Sequence, residues 1–137
     1  DPRNQDTINY INKLVKMRDF WMPFAPSIIE ERQDDYVINP KKIDARYMAI
    51  GFDSTLLAKK DIPAGLHPFD KTMRPQIVYQ KDNYSYHSLI KEFEKITGVG
   101  ALMNTSFNIH GEPIVGSPFD ALDTLKRCGL RHLYIGN

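Results

Sequence analysis

Residues 102–115 read Leu102-Met-Asn-Thr-Ser-Phe-Asn-Ile-His-Gly-Glu-Pro-Ile-Val115, and the rest of the chain is best read outward from them. A short apolar run, Val99 with Ala101, Leu102 and Met103, has the length and punctuation of a buried strand. It breaks into Asn104-Thr-Ser-Phe-Asn108, where every residue but Phe107 is polar and uncharged. The amides and hydroxyls of Asn104, Thr105, Ser106 and Asn108 can donate to anionic oxygens without adding charge, and Gly111 close to Pro113 marks a tight turn. A strand that ends in such a loop suits a ligand cradle. The same residues also build an ordinary Asx/Ser turn closing a hairpin, so local chemistry leaves both readings open.

Upstream, residues 83–97 predict the clearest helix, with Leu89, Ile90, Phe93 and Ile96 as its buried stripe and Gly98 just past its end. Downstream, Ser117 caps a last helix with Pro118 at its first position and Gly129 beyond it, and residues 130–135 predict a returning strand. Towards the N-terminus, Ile8, Ile11, Leu14 and Val15 recur at helical spacing after Asn4. Residues 16–22 alternate as an extended segment, which sets Lys16 and Arg18 on one side about 7 Å apart. That spacing suits two cations on one phosphate-bearing ligand, and it equally suits a solvated strand face. Pro23-Phe-Ala-Pro26 predicts a rigid corner before Ser27. Residues 30–36 read as a short surface helix, residues 47–52 as a strand, and Ser54 as the cap of a short helix. Residues 61–73 form a long irregular stretch holding His67, Asp70 and Thr72, and Arg74 opens a strand through Ile77 and Val78. Strands alternating with helices predict an α/β or α+β domain spanning residues 1–137 around a twisted, partly parallel sheet.

Composition narrows the chemistry. A chain of 137 residues, 42% hydrophobic and 26% charged, can bury one core. Eighteen basic against seventeen acidic residues give no global field, which speaks against binding nucleic acid or a membrane through net charge and requires any anion site to be local. The single cysteine, Cys128, excludes an internal disulfide and fits a reducing compartment, so a cytoplasmic location is expected. The sequence has no apolar run of about 18 residues, and the polar start Asp1-Pro-Arg-Asn-Gln-Asp6 is not a signal peptide. His67, His87, His110 and His132 are scattered, with no pair at the spacing of a metal-binding helix, so no protein-ligated metal is expected. Ser106 and Cys128 have no base at a readable spacing, and no Gly-rich phosphate loop is present. What remains is an anion site without a nucleophile, made of Lys16, Arg18 and Arg74 with Ser106 and Asn108, acting by positioning and charge neutralisation.

The run Asn104-Thr-Ser-Phe-Asn108, then Gly111-Glu-Pro-Ile-Val115 and Ile135-Gly-Asn137, resembles the C-terminal domain of the O-carbamoyltransferases that decorate nodulation factors and antibiotics. The resemblance continues through Lys16-Met-Arg18, Pro23-Phe-Ala-Pro-Ser27, Ile62-Pro-Ala64 with His67, and Asp70, Thr72, Arg74 and Gln76, and it weakens over residues 34–61. It implies a fold similar to the YrdC-like threonylcarbamoyl-adenylate synthases. It implies formation of carbamoyl adenylate from ATP and carbamoyl phosphate with Mg²⁺, the carbamoyl group then passing to an acceptor hydroxyl in an N-terminal, ATPase-like domain of the same natural chain. This region would then be a domain excised from a longer chain. By motif, the resemblance puts Lys16 and Arg18 on phosphate groups and Arg74 on carbamoyl phosphate. Ser106 and Asn108 would fasten the adenylate phosphate and the carbamoyl group, with Asn104, Thr105, His67, Asp70 and Thr72 lining the pocket. Three departures stand out: Met22 and Lys71 replace a usual arginine and a usual glycine, and the His67–Asp70 loop is one residue longer. A non-catalytic YrdC-like module that binds nucleotide or RNA is the alternative reading.

Overall fold

The computed structural model describes residues 1–16 and 23–136, so Arg18 and Met22 lie outside the described residues. At its centre is β1 (Ala25–Ile29), buried along its whole length. On one side it runs parallel to β4 (Gln76–Val78), pairing Ser27 with Gln76 and Ile29 with Val78. On the other it runs antiparallel to β5 (Ala101–Asn104), pairing Ala25 with Asn104 and Ile28 with Ala101. This mixed sheet, ordered β4-β1-β5, explains how a proline enters a central strand. Ile29 N donates to Gly100 O on the β5 side, so strand alternation turns the Pro26 nitrogen to the β4 side, where β4 has not yet begun. The expected corner at Pro23–Pro26 therefore gives way to strand from Ala25 onward. β4's outer edge is covered, because Ile77 N donates to Ala45 O.

Alternation sends the sheet's side chains into two apolar clusters. Ile28, Ile77 and Ala101 pack with Tyr36, Phe52, Ile62, Leu66 and Met73 on one face. Ile29 and Val78 pack with Ile90, and with partly buried Tyr86 and Leu102, on the other. The first face is closed by a 3₁₀ turn (Glu30–Arg32) running into α2 (Gln33–Tyr36), by the two-residue strands β2 (Val37–Ile38) and β3 (Asp53–Ser54), and by α3 (Leu56–Asp61). The second is covered by α4 (Tyr84–Thr97), capped by the Asn83 side chain and stopped by Gly98 at φ 77°. α5 (Pro118–Cys128) starts on a Ser117 cap and stops at Gly129 in the same left-handed conformation. The domain is thus mixed α+β, as expected.

Several local expectations are corrected. α4 turns His87 and Ile90 inward, whereas Leu89 is 58% and Ile96 83% exposed. Heptad-like spacing identifies a stripe without fixing which way the helix is rotated on its neighbour. Residues 47–52 form no strand: Met48 sits at φ 56°, which breaks the alternation, and Phe52 makes one isolated bridge with Met73. Thr55 rather than Ser54 caps α3. No strand forms over residues 130–135. α1 (Gln5–Ile11) winds into a π-helical turn at Asn12–Lys16, so Lys16 lies on a helical turn instead of an extended strand.

Candidate anion-binding site

β1 and β4 begin, and β5 ends, at the same end of the sheet. That end receives the loop after Asn104 and the start of β4 after Arg74. It also receives Lys16 from the N-terminal helix. Lys16 is 2% exposed, and its Nζ donates to Ser106 Oγ at 3.0 Å, Asn108 Oδ1 at 2.6 Å and Asn108 O at 3.2 Å. Ser106 Oγ donates in turn to Asn108 Oδ1 at 2.7 Å. These three acceptors are neutral dipoles that fix the position of the ammonium at the strand-end loop.

The loop that carries these acceptors is braced from both sides. Asn108 Nδ2 donates to Glu112 O at 2.7 Å and Ile109 O at 3.2 Å, and Val115 N donates to Phe107 O at 3.1 Å. His110 N donates to Val15 O at 3.0 Å, one residue before Lys16. From α5, Arg127 pairs with Glu112 and with Asp123. The cradle is thus neither a bare turn nor a hairpin connection, because β5's partner is β1 and the loop leads into α5. Thr105 Oγ1 is buried and, among the described residues, has no hydrogen-bond partner.

Arg74 stands exposed, two residues ahead of β4, and among the described residues it makes no hydrogen bond or ion pair. A guanidinium left open beside a strand start is available to a ligand. His67, Asp70 and Thr72 instead close a turn on themselves. His67 Nδ1 lies 3.0 Å from Asp70 Oδ1, and that oxygen accepts from Thr72 N at 2.9 Å and Thr72 Oγ1 at 2.8 Å. The Thr72 bonds hold the Asp70 carboxyl below the usual carboxylate range. The structure brings Lys16, Ser106 and Asn108 into contact and sets Arg74 and Asn104 at the same sheet end, while among the described residues no hydrogen bond or ion pair joins the His67 turn to Ser106. Lys71 within it has φ 60°, the left-handed conformation that glycine adopts freely.

Sequence reading gave Gln76 and Ser27 no role. Gln76 Oε1 accepts from Ser27 Oγ at 2.7 Å and from Asn104 Nδ2 at 2.7 Å, tying the three strands together by side chains. Ser27 is fully buried, and the nearby Tyr86 phenol is pushed up by burial, partly offset by Ser27. The signal that could have found this trio is cross-strand register, which a single sequence does not display.

A family model described as "Carbamoyltransferase C-terminus" matches residues 1–137. An uncharacterized protein of Methanocaldococcus jannaschii is 39% identical over 98% of the chain, which spans 22% of that protein. The nodulation protein NolNO of Sinorhizobium fredii is 36% identical over 100% of the chain and 20% of its own length. NolO of Bradyrhizobium diazoefficiens is 35% identical over 99% of the chain and 25% of its own. The chain therefore spans a quarter or less of the relatives it matches, and no helix of the described residues is long and apolar enough to cross a membrane. With the family model covering every residue, including the Lys16–Ser106–Asn108 cage, the chain belongs to the carbamoyltransferase C-terminus family.

Proposed function

We propose that this region forms carbamoyl adenylate from ATP and carbamoyl phosphate, for transfer to an acceptor hydroxyl by another part of the natural protein. The observation that carries the reading is the convergence of Lys16 with Ser106 and Asn108 on a strand-end loop, across sequence separations of 90 and 92 residues, at the sheet end where Arg74 stands exposed. An oxygen of the carbamoyl unit has to attack the α-phosphorus of ATP and expel pyrophosphate. Carbamoyl phosphate therefore first takes up water and releases phosphate, leaving carbamate as the attacking group. Both events spread negative charge over phosphoryl oxygens, and fixed cations with neutral donors stabilise that charge without supplying a nucleophile. Lys16 and Arg74 provide the cations, Ser106 and Asn108 the positioning. The buried Thr105 hydroxyl, without a hydrogen-bond partner among the described residues, is suited to a phosphate or ribose oxygen. Mg²⁺ would arrive with ATP, shielding its phosphates.

The test is pyrophosphate release that depends on carbamoyl phosphate. Arg74→Ala should slow it roughly 10- to 150-fold, the loss of a charge-assisted contact of about 1.5–3 kcal/mol, and Arg74→Lys should recover part of that. A rate within about twofold of the parent would remove Arg74 from the site, and nucleotide binding with no pyrophosphate release would point to the non-catalytic module instead.

A further inference from the structure

Resting on the reading above, we propose that Gln76 and Asn104 recognise the carbamoyl group itself, as a donor–acceptor pair matched to a primary amide. Asn104 Nδ2 is engaged by Gln76 Oε1 at 2.7 Å and by Met48 Sδ at 3.7 Å, and Gln76 Oε1 is doubly engaged by Ser27 Oγ and Asn104 Nδ2. What the pair leaves over is one donor, Gln76 Nε2, and one acceptor, Asn104 Oδ1, neither hydrogen-bonded among the described residues. A carbamoyl group carries the complement, a carbonyl oxygen that accepts and an NH₂ that donates. In this orientation the spare acceptor belongs to Asn104 and the spare donor to Gln76.

Placement supports the same assignment. Gln76 and Asn104 share the sheet face that α4 covers through Ile90 and Tyr86, but they stand at its end, where the cover stops. Gln76 also borders a cavity of about 260 Å³ with Arg46, Tyr47 and Tyr86. Asn104 is two residues from Ser106 and Gln76 two from Arg74, so a phosphate held by Lys16, Ser106 and Arg74 puts an attached carbamoyl group within reach of the amides. The site then selects a carbamoyl group over an acyl group of the same shape, because the acyl methyl leaves Asn104 Oδ1 without a donor.

Phosphonoacetamide and phosphonoacetone share a phosphonate and a carbonyl and differ in NH₂ against CH₃. The ratio of their Kd values, measured by calorimetry on one sample, isolates the amide contact and does not depend on the fraction of protein folded. The parent should favour the amide by about tenfold or more. Asn104→Leu should bring the ratio to within about twofold of one. Asn104→Ser, smaller and polar, should give an intermediate ratio and serves where leucine disturbs the strand end. Gln76→Met should weaken both ligands alike, since both present a carbonyl. A parent ratio near one, or Asn104→Leu and Asn104→Ser both keeping the parental ratio, overturns the amide pair. Failure of the phosphonates and of inorganic phosphate to bind overturns the anion site itself, and this proposal with it.

Discussion

Asn108 is the residue on which the cradle depends, because its side chain serves two masters. The Oδ1 atom accepts from Lys16 and Ser106 while the Nδ2 atom donates to the Glu112 and Ile109 carbonyls, so one amide fixes both the ammonium and the turn behind it. Asn108→Ala removes an acceptor from a buried cation and two donors from backbone carbonyls, and should destabilise the fold by about 1–3 kcal/mol in urea unfolding. Ser106→Ala should cost about 1 kcal/mol, since Lys16 keeps both Asn108 acceptors. A larger loss for Ser106 than for Asn108 would reverse the hierarchy. Lys71 tests backbone strain separately. At φ 60° a glycine is at ease and an alanine is not, so Lys71→Gly should be more stable than Lys71→Ala by about 1 kcal/mol, and equal midpoints would show that the turn relaxes. A polar loop at the end of the residue 101–104 strand was legible in the sequence, although the same amides and hydroxyls also suit an ordinary turn. Their geometry was not: the Lys16–Ser106 and Gln76–Asn104 contacts join positions far apart in the chain, and no local pattern encodes that register.

Among the elements, α4 and α5 show where sequence reading works and where it stops. Gly98, Ser117 and Gly129 were read correctly as caps and Pro118 as the first helical residue, because capping chemistry is satisfied within a few residues, whereas Asn83, read as the first residue of its helix, is the cap. The buried stripe of α4 was read half correctly: Ile90 is fully buried and Phe93 packs partly on the core, but Leu89 and Ile96 face out, because the four fit a helical period at more than one rotation and the docked face is chosen by the sheet beneath. His87 takes the inward place expected for an aliphatic residue, compensated by its Nε2 lying 2.9 Å from Glu31 Oε2. Ile90→Ala should therefore cost about 2–5 kcal/mol, whereas Leu89→Ala should stay within about 0.5 kcal/mol of the parent. Chemical unfolding of the two variants decides between the two helix rotations, and comparable losses would favour the sequence-derived stripe.

At the scale of the whole molecule, the turn after β1 is stitched to α4 by charge as well as by apolar contact. Glu31 faces His87 and Lys91, Lys91 also faces Glu94, and Arg32 spans Asp35 and Glu94. The network flanks the second apolar cluster, so protonating it loosens the packing of α4 on the sheet. For Glu31, burial raises the carboxyl pKa, but the His87 hydrogen bond, a backbone hydrogen bond and the neighbouring cations outweigh it, leaving the group below the ordinary carboxylate range. In the window between that folded value and the ordinary glutamate value of about 4.3, the unfolded chain binds more protons than the folded one. The stabilisation is fully present above this window and is lost as pH falls through it. Because the Glu31 side chain is 45% exposed, solvent screening limits its share to about 1 kcal/mol or less. Glu31→Gln should accordingly flatten the fall in unfolding free energy between about pH 5 and pH 3, and added salt should narrow the gap between variant and parent. Asp70 and Asp120 are also held low, but they are present in both proteins, so the difference belongs to Glu31. Unfolding curves with superimposable acid limbs would mean that the Glu31–His87 contact contributes nothing to holding α4 in place.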